Sequence, residues 1–148
     1  MSGFLLDTNI ISKFAPGRPE ITAELSDWIH REGNADRLFL SAMTTAEISR
    51  GVNRLLRKGA TAKAAALSAW LGGILSSFED RILPMDLNVS LLTGELEDAA
   101  VAKGFDPGLA DAIIAATAKA HGLVVITENL KHFAPFDIEC RLPPGSAP

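Results

Sequence analysis

Phe4-Leu5-Leu6-Asp7-Thr8-Asn9 passes from uninterrupted apolar side chains to three polar ones within six residues, close to the start of the chain. Gly3 to Leu6 is too short for a helix and apolar enough for a strand buried on both faces. Asp7-Thr8-Asn9 supplies the turn and cap residues that begin a helix at once. Asp7 is therefore expected at the carboxyl end of a parallel strand, where open α/β sheets place their ligands.

The same alternation recurs downstream. Leu38-Phe39-Leu40, Ile82-Leu83-Pro84-Met85 and Leu123-Val124-Val125-Ile126 read as short strands, and Ile138-Glu139-Cys140 as a last one. Pro84 keeps its own strand brief or at an edge. Between them the apolar spacing predicts helices resuming over 21–30 and running over 44–58, 61–78 and 90–103. Asp106-Pro107 predicts another helix start, with Asp as cap and Pro in the first turn, running to a stop at Gly122. Short strands alternating with helices predict a twisted parallel sheet of four to five strands with helices on both faces.

With 148 residues and 47% hydrophobic content, the chain has enough material for one core and too little for two ordinary ones. We expect a single domain over 1–142 and a mobile tail over 143–148, where Pro, Gly and Ser dominate. The single cysteine, Cys140, rules out an intrachain disulfide and fits a reducing compartment. No basic leader precedes an apolar run, and no window approaches the roughly 18 apolar residues of a membrane span. The expectation is a cytoplasmic protein with no membrane partner. A net charge of -4 argues against a broad basic surface for nucleic acid, yet leaves room for local stripes.

Three acids stand out as the polar exceptions of their segments: Asp7, Glu47 in Thr44-Thr45-Ala46-Glu47-Ile48, and Asp111 in Leu109-Ala110-Asp111-Ala112-Ile113-Ile114. Each has an ordinary explanation to weigh. Asp7 can cap the helix after it. Thr44-x-x-Glu47 has the form of a capping box, with Glu47 reaching back to the Thr44 amide. Asp111 is harder to explain this way, because it is the one charged residue between Pro107 and Ala118, and an unpaired charge among Ala and Ile is costly. Carboxylates gathered in a poorly solvated place repel unless a cation sits among them. An oxygen-only donor set favours Mg2+, with Mn2+ as the alternative, over Zn2+.

Arg50, Arg54, Arg57 and Lys58 form a stripe that is ordinarily a solvated helix face. It also continues the face carrying Glu47, which makes Arg50 and Arg54 candidate phosphate contacts. His30 and His121 fall at helix ends, and His132 reads as structural or solvated. Neither G-x-G-x-x-G nor G-x-x-x-x-G-K-[ST] occurs. Phosphatases with an aspartyl nucleophile at a strand end need a second Asp two residues on, where this chain has Asn9.

Leu5-Leu6-Asp7-Thr8-Asn9-Ile10-Ile11-Ser12, Leu40-Ser41-Ala42-Met43-Thr44-Thr45-Ala46-Glu47-Ile48 with Gly51, Ile82-Leu83-Pro84-Met85-Asp86, Ala110-Asp111-Ala112-Ile113-Ile114-Ala115-Ala116-Thr117-Ala118 and Val125-Ile126-Thr127-Glu128-Asn129 occur in one order along nearly the whole chain. As an ordered set they resemble the PIN-domain ribonucleases, and among these the VapC-like and FitB-like toxins of bacterial toxin–antitoxin pairs. The resemblance implies a PIN-like fold, a homodimer, and a Mg2+ or Mn2+ ion held by catalytic Asp7, Glu47 and Asp111. It places Thr8, Asn9, Thr127 and Asn129 in support. It further implies hydrolysis of phosphodiester bonds in cellular RNA, inhibition by a cognate antitoxin, and contact with operator DNA only through that antitoxin. Many members carry a fourth acid where this chain has Asn129, which adds no charge and puts the number of metals in question. The alternative is a non-catalytic or weakly catalytic PIN protein acting within a DNA-binding toxin–antitoxin complex.

Overall fold

The computed structural model describes residues 2–146. Its frame is a five-stranded sheet of β1 (Phe4–Leu6), β2 (Leu38–Ser41), β3 (Ile82–Leu83), β4 (Val124–Ile126) and β5 (Cys140–Arg141), ordered β3-β2-β1-β4-β5. All neighbours run parallel: Phe4 lies between Leu38 and Val124, and Leu5 between Phe39 and Val125. The chain builds outward from β1 to one edge, then returns to build β4 and β5 on the other side. The crevice between the carboxyl ends of β1 and β4 is thus the point where strand order reverses, the place such sheets use for ligands.

Among the described residues, seven helices cover the two faces: α1 (Thr8–Ile11), α2 (Ala23–Asn34), α3 (Ala42–Arg57), α4 (Thr61–Phe78), α5 (Leu87–Ala102), α6 (Leu109–His121) and α7 (Leu130–Phe133). Because side chains alternate along a strand, Leu5 and Val125 join the core beneath α5 and α6. Leu6 and Ile126, one residue on, join the opposite core with Ile10, Trp28 and Ile48. Both cores are sealed at the strands, with Leu5, Leu6 and Val125 fully buried. Ala112, Ala115 and Ala116 of α6 are equally inaccessible; their small side chains allow α6 to lie close to the sheet. No helix among the described residues is long and apolar enough to cross a membrane.

Two expected helix starts move. The helix predicted from Thr44 begins at Ala42, capped by Ser41, whose hydroxyl accepts the Met43 amide proton at 3.0 Å. The helix predicted from Asp106-Pro107 begins at Leu109, with Gly108 as a cap that offers no side chain. Lys103, Gly104 and Phe105 are drawn into the C-terminal turn of α5, their amides bonding Ala99, Ala100 and Val101 carbonyls. Too little chain remains before α6 for Asp106 to start it. The last strand lies at Cys140–Arg141, two residues beyond its expected start, and α7 is an element the sequence reading lacks. Of the tail, 143–146 folds into a turn in which the Ser146 amide bonds the Pro143 carbonyl at 3.3 Å; positions 147 and 148 lie outside the described residues.

Candidate functional site

Asp7 follows the last residue of β1 and is 7% exposed. Its Oδ1 accepts the Thr8 amide proton at 2.8 Å, so it does cap α1. Its Oδ2 accepts the Thr127 hydroxyl proton, also at 2.8 Å, across the crevice from the end of β4. The Thr127 oxygen meanwhile accepts the Asn129 amide proton at 2.9 Å, and that of the Asn9 side-chain amide at 3.4 Å. With its lone pairs so used, the Thr127 hydroxyl proton is directed at Asp7. Capping and site-building are therefore one arrangement.

Glu47 lies in the second turn of α3 rather than at its start, so the capping-box reading is overturned: Ser41 has taken the cap. The Glu47 carboxylate instead accepts from the Thr8 hydroxyl at 2.7 Å, and Thr8 stands 2.9 Å from the hydroxyl of the buried Thr44. A hydroxyl has one proton. If Thr8 gives its proton to Glu47, Thr44 must donate to Thr8, which makes a directed chain from Thr44 through Thr8 to Glu47.

Asp111 occupies the first turn of α6, where the helix dipole favours a carboxylate. Its side chain keeps 28% exposure, and the His132 ring of α7 stands beside it with Nδ1 3.5 Å from Oδ2. Burial pushes the Asp7 carboxyl above its usual range; the Thr127 and Thr8 hydrogen bonds pull it back, while the charges of Asp111 and Glu47 push it further up. Burial likewise raises Asp111, opposed by His132 and reinforced by Glu47. The three acids thus repel one another across a common space.

That space is a cleft of about 820 Å³ lined by Asp7, Thr8, Asn9, Glu47, Asp111 and Asn129, with His132 and Glu128 at its wall. Lys13 and Arg18 also face it, as do Pro143 to Ser146 of the C-terminal turn. Glu128 is held by an ion pair with Lys13. Arg50 and Arg54 do not enter the cleft: they line a separate shallow groove along α3, with Glu47 common to both. A third, largely apolar groove of about 520 Å³ runs between α3, α4 and the loop after α1, sharing Thr8, Arg18 and Glu47 with the cleft and floored by Leu55, Leu67 and Trp70.

His132, read from the sequence as structural or solvated, lines the cleft with its ring largely exposed, and the sequence reading did not single out Lys13 and Arg18. A lone histidine three residues after Asn129 carries no periodic signal, and Lys13 and Arg18 sit in a segment with no pattern to read.

Among the described residues, no three or more His, Cys, Asp and Glu side chains are grouped closely enough to hold a metal ion together. The donors that line the cleft are carboxylate, hydroxyl and amide oxygens around an open space. This suits a hard cation that keeps several waters and takes only one or two carboxylates directly, which is how Mg2+ is commonly bound.

The PIN domain family model matches residues 4–137. The chain belongs to the PIN-domain family. Toxin FitB of Neisseria gonorrhoeae is 36% identical to it over 134 residues, covering 90% of this chain and 93% of that protein. The VapC ribonuclease Y4jK of Sinorhizobium fredii is 34% identical over 129 residues, covering 87% and 89%. A solved structure of FitAB bound to an IR36 DNA fragment superposes on this PIN domain with a TM-score of 0.79 at 34% identity, covering 95% of this chain and 94% of that one. The expected PIN-like parallel sheet is the fold observed.

Proposed function

We propose that this PIN domain is a divalent-cation-dependent endoribonuclease, the toxin of a toxin–antitoxin pair. The observation that carries the reading is the meeting of Asp7, Glu47 and Asp111, from three separate elements, at one cleft over the sheet's reversal point. Relatives named as a toxin and as a ribonuclease support it.

Asp7 and Asp111 are the residues that would hold Mg2+ or Mn2+, directly or through water, with Glu47 completing the shell or taking a proton from the attacking water. The cation would supply Lewis-acid activation of water and charge neutralisation at the phosphate. The chain's own part is orientation. Thr127 and the Thr8 amide fix Asp7, and the Thr44–Thr8 chain fixes Glu47, so both carboxylates are set before substrate arrives. Arg50 and Arg54, beyond Glu47, meet the RNA phosphates that lead away from the cut. Asn9 and Asn129 offer hydrogen bonds at the rim, and Asn129 supplies no fourth negative charge.

The apolar groove beside the cleft suits an antitoxin segment that buries side chains against Leu67 and Trp70 while reaching the acids. The exposed stripe Leu87, Leu91 and Val101 on α5, with Phe105 and Leu109 beyond it, suits a second copy of the chain. Contact with operator DNA would come through the antitoxin, and the compartment would be the cytoplasm.

The test is incubation of total cellular RNA with purified, antitoxin-free protein in Mg2+, Mn2+ or EDTA, beside Asp111→Asn. Discrete fragments that need the cation and vanish in the variant support the nuclease. A folded protein that cuts under no condition would move the reading to a non-catalytic role within a DNA-binding complex.

A further inference from the structure

We propose that His132 supplies a nitrogen ligand beside the Asp111 carboxylate, making the cation site a mixed nitrogen–oxygen one that prefers Mn2+ to Mg2+. This inference rests on the cation-site reading above and goes beyond its oxygen-only donor set.

The two groups are placed to pair directly when the ring is protonated, and to share an ion when it is neutral. Nδ1 of His132 and Oδ2 of Asp111 are 3.5 Å apart, beyond the usual N–H···O range. Adjacent donors on an octahedral ion with bonds of roughly 2.1 Å stand about 3.0 Å apart. The pair therefore needs to close by only about half an ångström to share a cation. The other two histidines are placed elsewhere, His30 with its Nδ1 2.8 Å from the Ser26 carbonyl of α2 and His121 at the end of α6. Of the three in the chain, His132 is the one that lines the acidic cleft.

Its backbone is also fixed. The His132 amide bonds the Asn129 carbonyl at 2.9 Å, and the next residue, Phe133, is fully buried against Phe136, with ring centroids 6.4 Å apart. The ring is 58% exposed at its side chain, so it is not filling the core. A pinned backbone beneath a largely exposed imidazole, beside Asp111 at the wall of an acidic cleft, is the arrangement of a ligand held ready. Imidazole is a softer donor than carboxylate or water, and Mg2+ gains less from it than a transition metal does. His132 should therefore bias the site towards Mn2+ without excluding Mg2+.

The experiment titrates EDTA-stripped, full-length protein with Mn2+ and with Mg2+ by calorimetry, and records pulsed electron paramagnetic resonance of the Mn2+-loaded protein. Parent, His132→Ala and Asp7→Asn are compared, with circular dichroism to establish that each is folded. The expected result is 14N coupling to Mn2+ in the parent and its loss in His132→Ala. Mn2+ affinity should fall in that variant by at least the roughly ten- to hundredfold that follows loss of a group merely supporting a ligand, with a smaller change for Mg2+. Mn2+ bound without 14N coupling, or an unchanged Mn2+ to Mg2+ affinity ratio in His132→Ala, overturns the role of His132 and leaves the carboxylate site standing. No cation binding by folded parent, or binding that Asp7→Asn leaves intact, overturns both.

Discussion

The Thr127 hydroxyl donates to Asp7 Oδ2 at 2.8 Å although the two residues are 120 positions apart in the chain. With the bond from the Asp7 amide to the Ile126 carbonyl at 2.9 Å, it joins the ends of the two strands between which the sheet reverses its order. Replacing Thr127 with the isosteric Val leaves the buried Asp7 oxygen without that partner. Thr127→Val should lower unfolding free energy by about 1–3 kcal/mol and weaken Mn2+ binding, read by urea titration and calorimetry. A variant as stable as the parent would show that the bond contributes nothing net.

Removal of a carboxylate should act on the chemistry and spare the fold. Asp7→Asn keeps an oxygen for the Thr8 amide, and its new amide can reach the Thr127 oxygen by displacing the long 3.4 Å bond from Asn9. RNA cleavage should fall by more than the roughly ten- to hundredfold typical of losing a group that merely supports a metal ligand, while circular dichroism stays the same. Undiminished cleavage by the folded variant would remove Asp7 from the mechanism.

The raised carboxyls of Asp7 and Asp111 set the sign of the pH response. In EDTA the folded protein holds these protons more tightly than the unfolded chain, whose carboxyls titrate near their ordinary value of 3.8. Their contribution to stability is therefore complete below that value and is lost as pH rises through the raised folded values. Melting of the stripped protein should show this loss between acid and neutral pH, less steeply in Asp7→Asn. Added Mn2+ should raise the parent's Tm most at neutral pH and less in acid, where protons compete for the same oxygens. A Tm gain that grows on acidification would contradict carboxylate ligation.

Arg50 and Arg54 lie outside the acidic cleft, so their effect should be on binding rather than on the chemical step. For single-stranded RNA, each phosphate deprived of its arginine should reduce the slope of log Kd against log salt by about 0.7. Fluorescence anisotropy of the parent, Arg50→Ala, Arg54→Ala and the double variant at several salt concentrations would measure it. Equal slopes in all four proteins would place the RNA path elsewhere, with Lys13 and Arg18 of the cleft as the next residues to change.

The α5 stripe gives a separate prediction. Leu91 is 62% exposed and Leu87 75%, and Leu91→Arg should convert a dimer to a monomer in sedimentation without lowering Tm substantially. A parent that sediments as a monomer at all concentrations would leave that surface for another partner.

The parallel sheet was readable in the sequence because each strand pairs a short apolar run with a polar end, and the three acids were readable because each interrupts such a pattern. What stayed hidden depended on competition between neighbours. Ser41, Thr44 and Thr45 are all good cap residues, and only the end of β2 at Ser41 decides which one caps α3. Asp106-Pro107 is a sound start signal that the preceding helix overrides by extending its own terminal turn through Phe105. His132 could not be ranked from sequence, because α7 has four residues and owes its place to Phe133 in a core assembled from distant segments. Of the expected cleft residues, Asp7 follows a strand, Asp111 opens a helix and Glu47 sits in the second turn of α3, whereas His132 lies on a helix too short to have a period and Arg18 lies on no helix or strand.

The pairing of β1 with β4 also governs when the site can exist during synthesis. Asp7 leaves the ribosome 120 residues before Thr127. Until then β1 has no neighbour on one side and the crevice has a single wall. A nascent chain halted before Val124 carries all three acids yet lacks the strand that closes the cleft around them, so the acids are brought together only once β4 has been made.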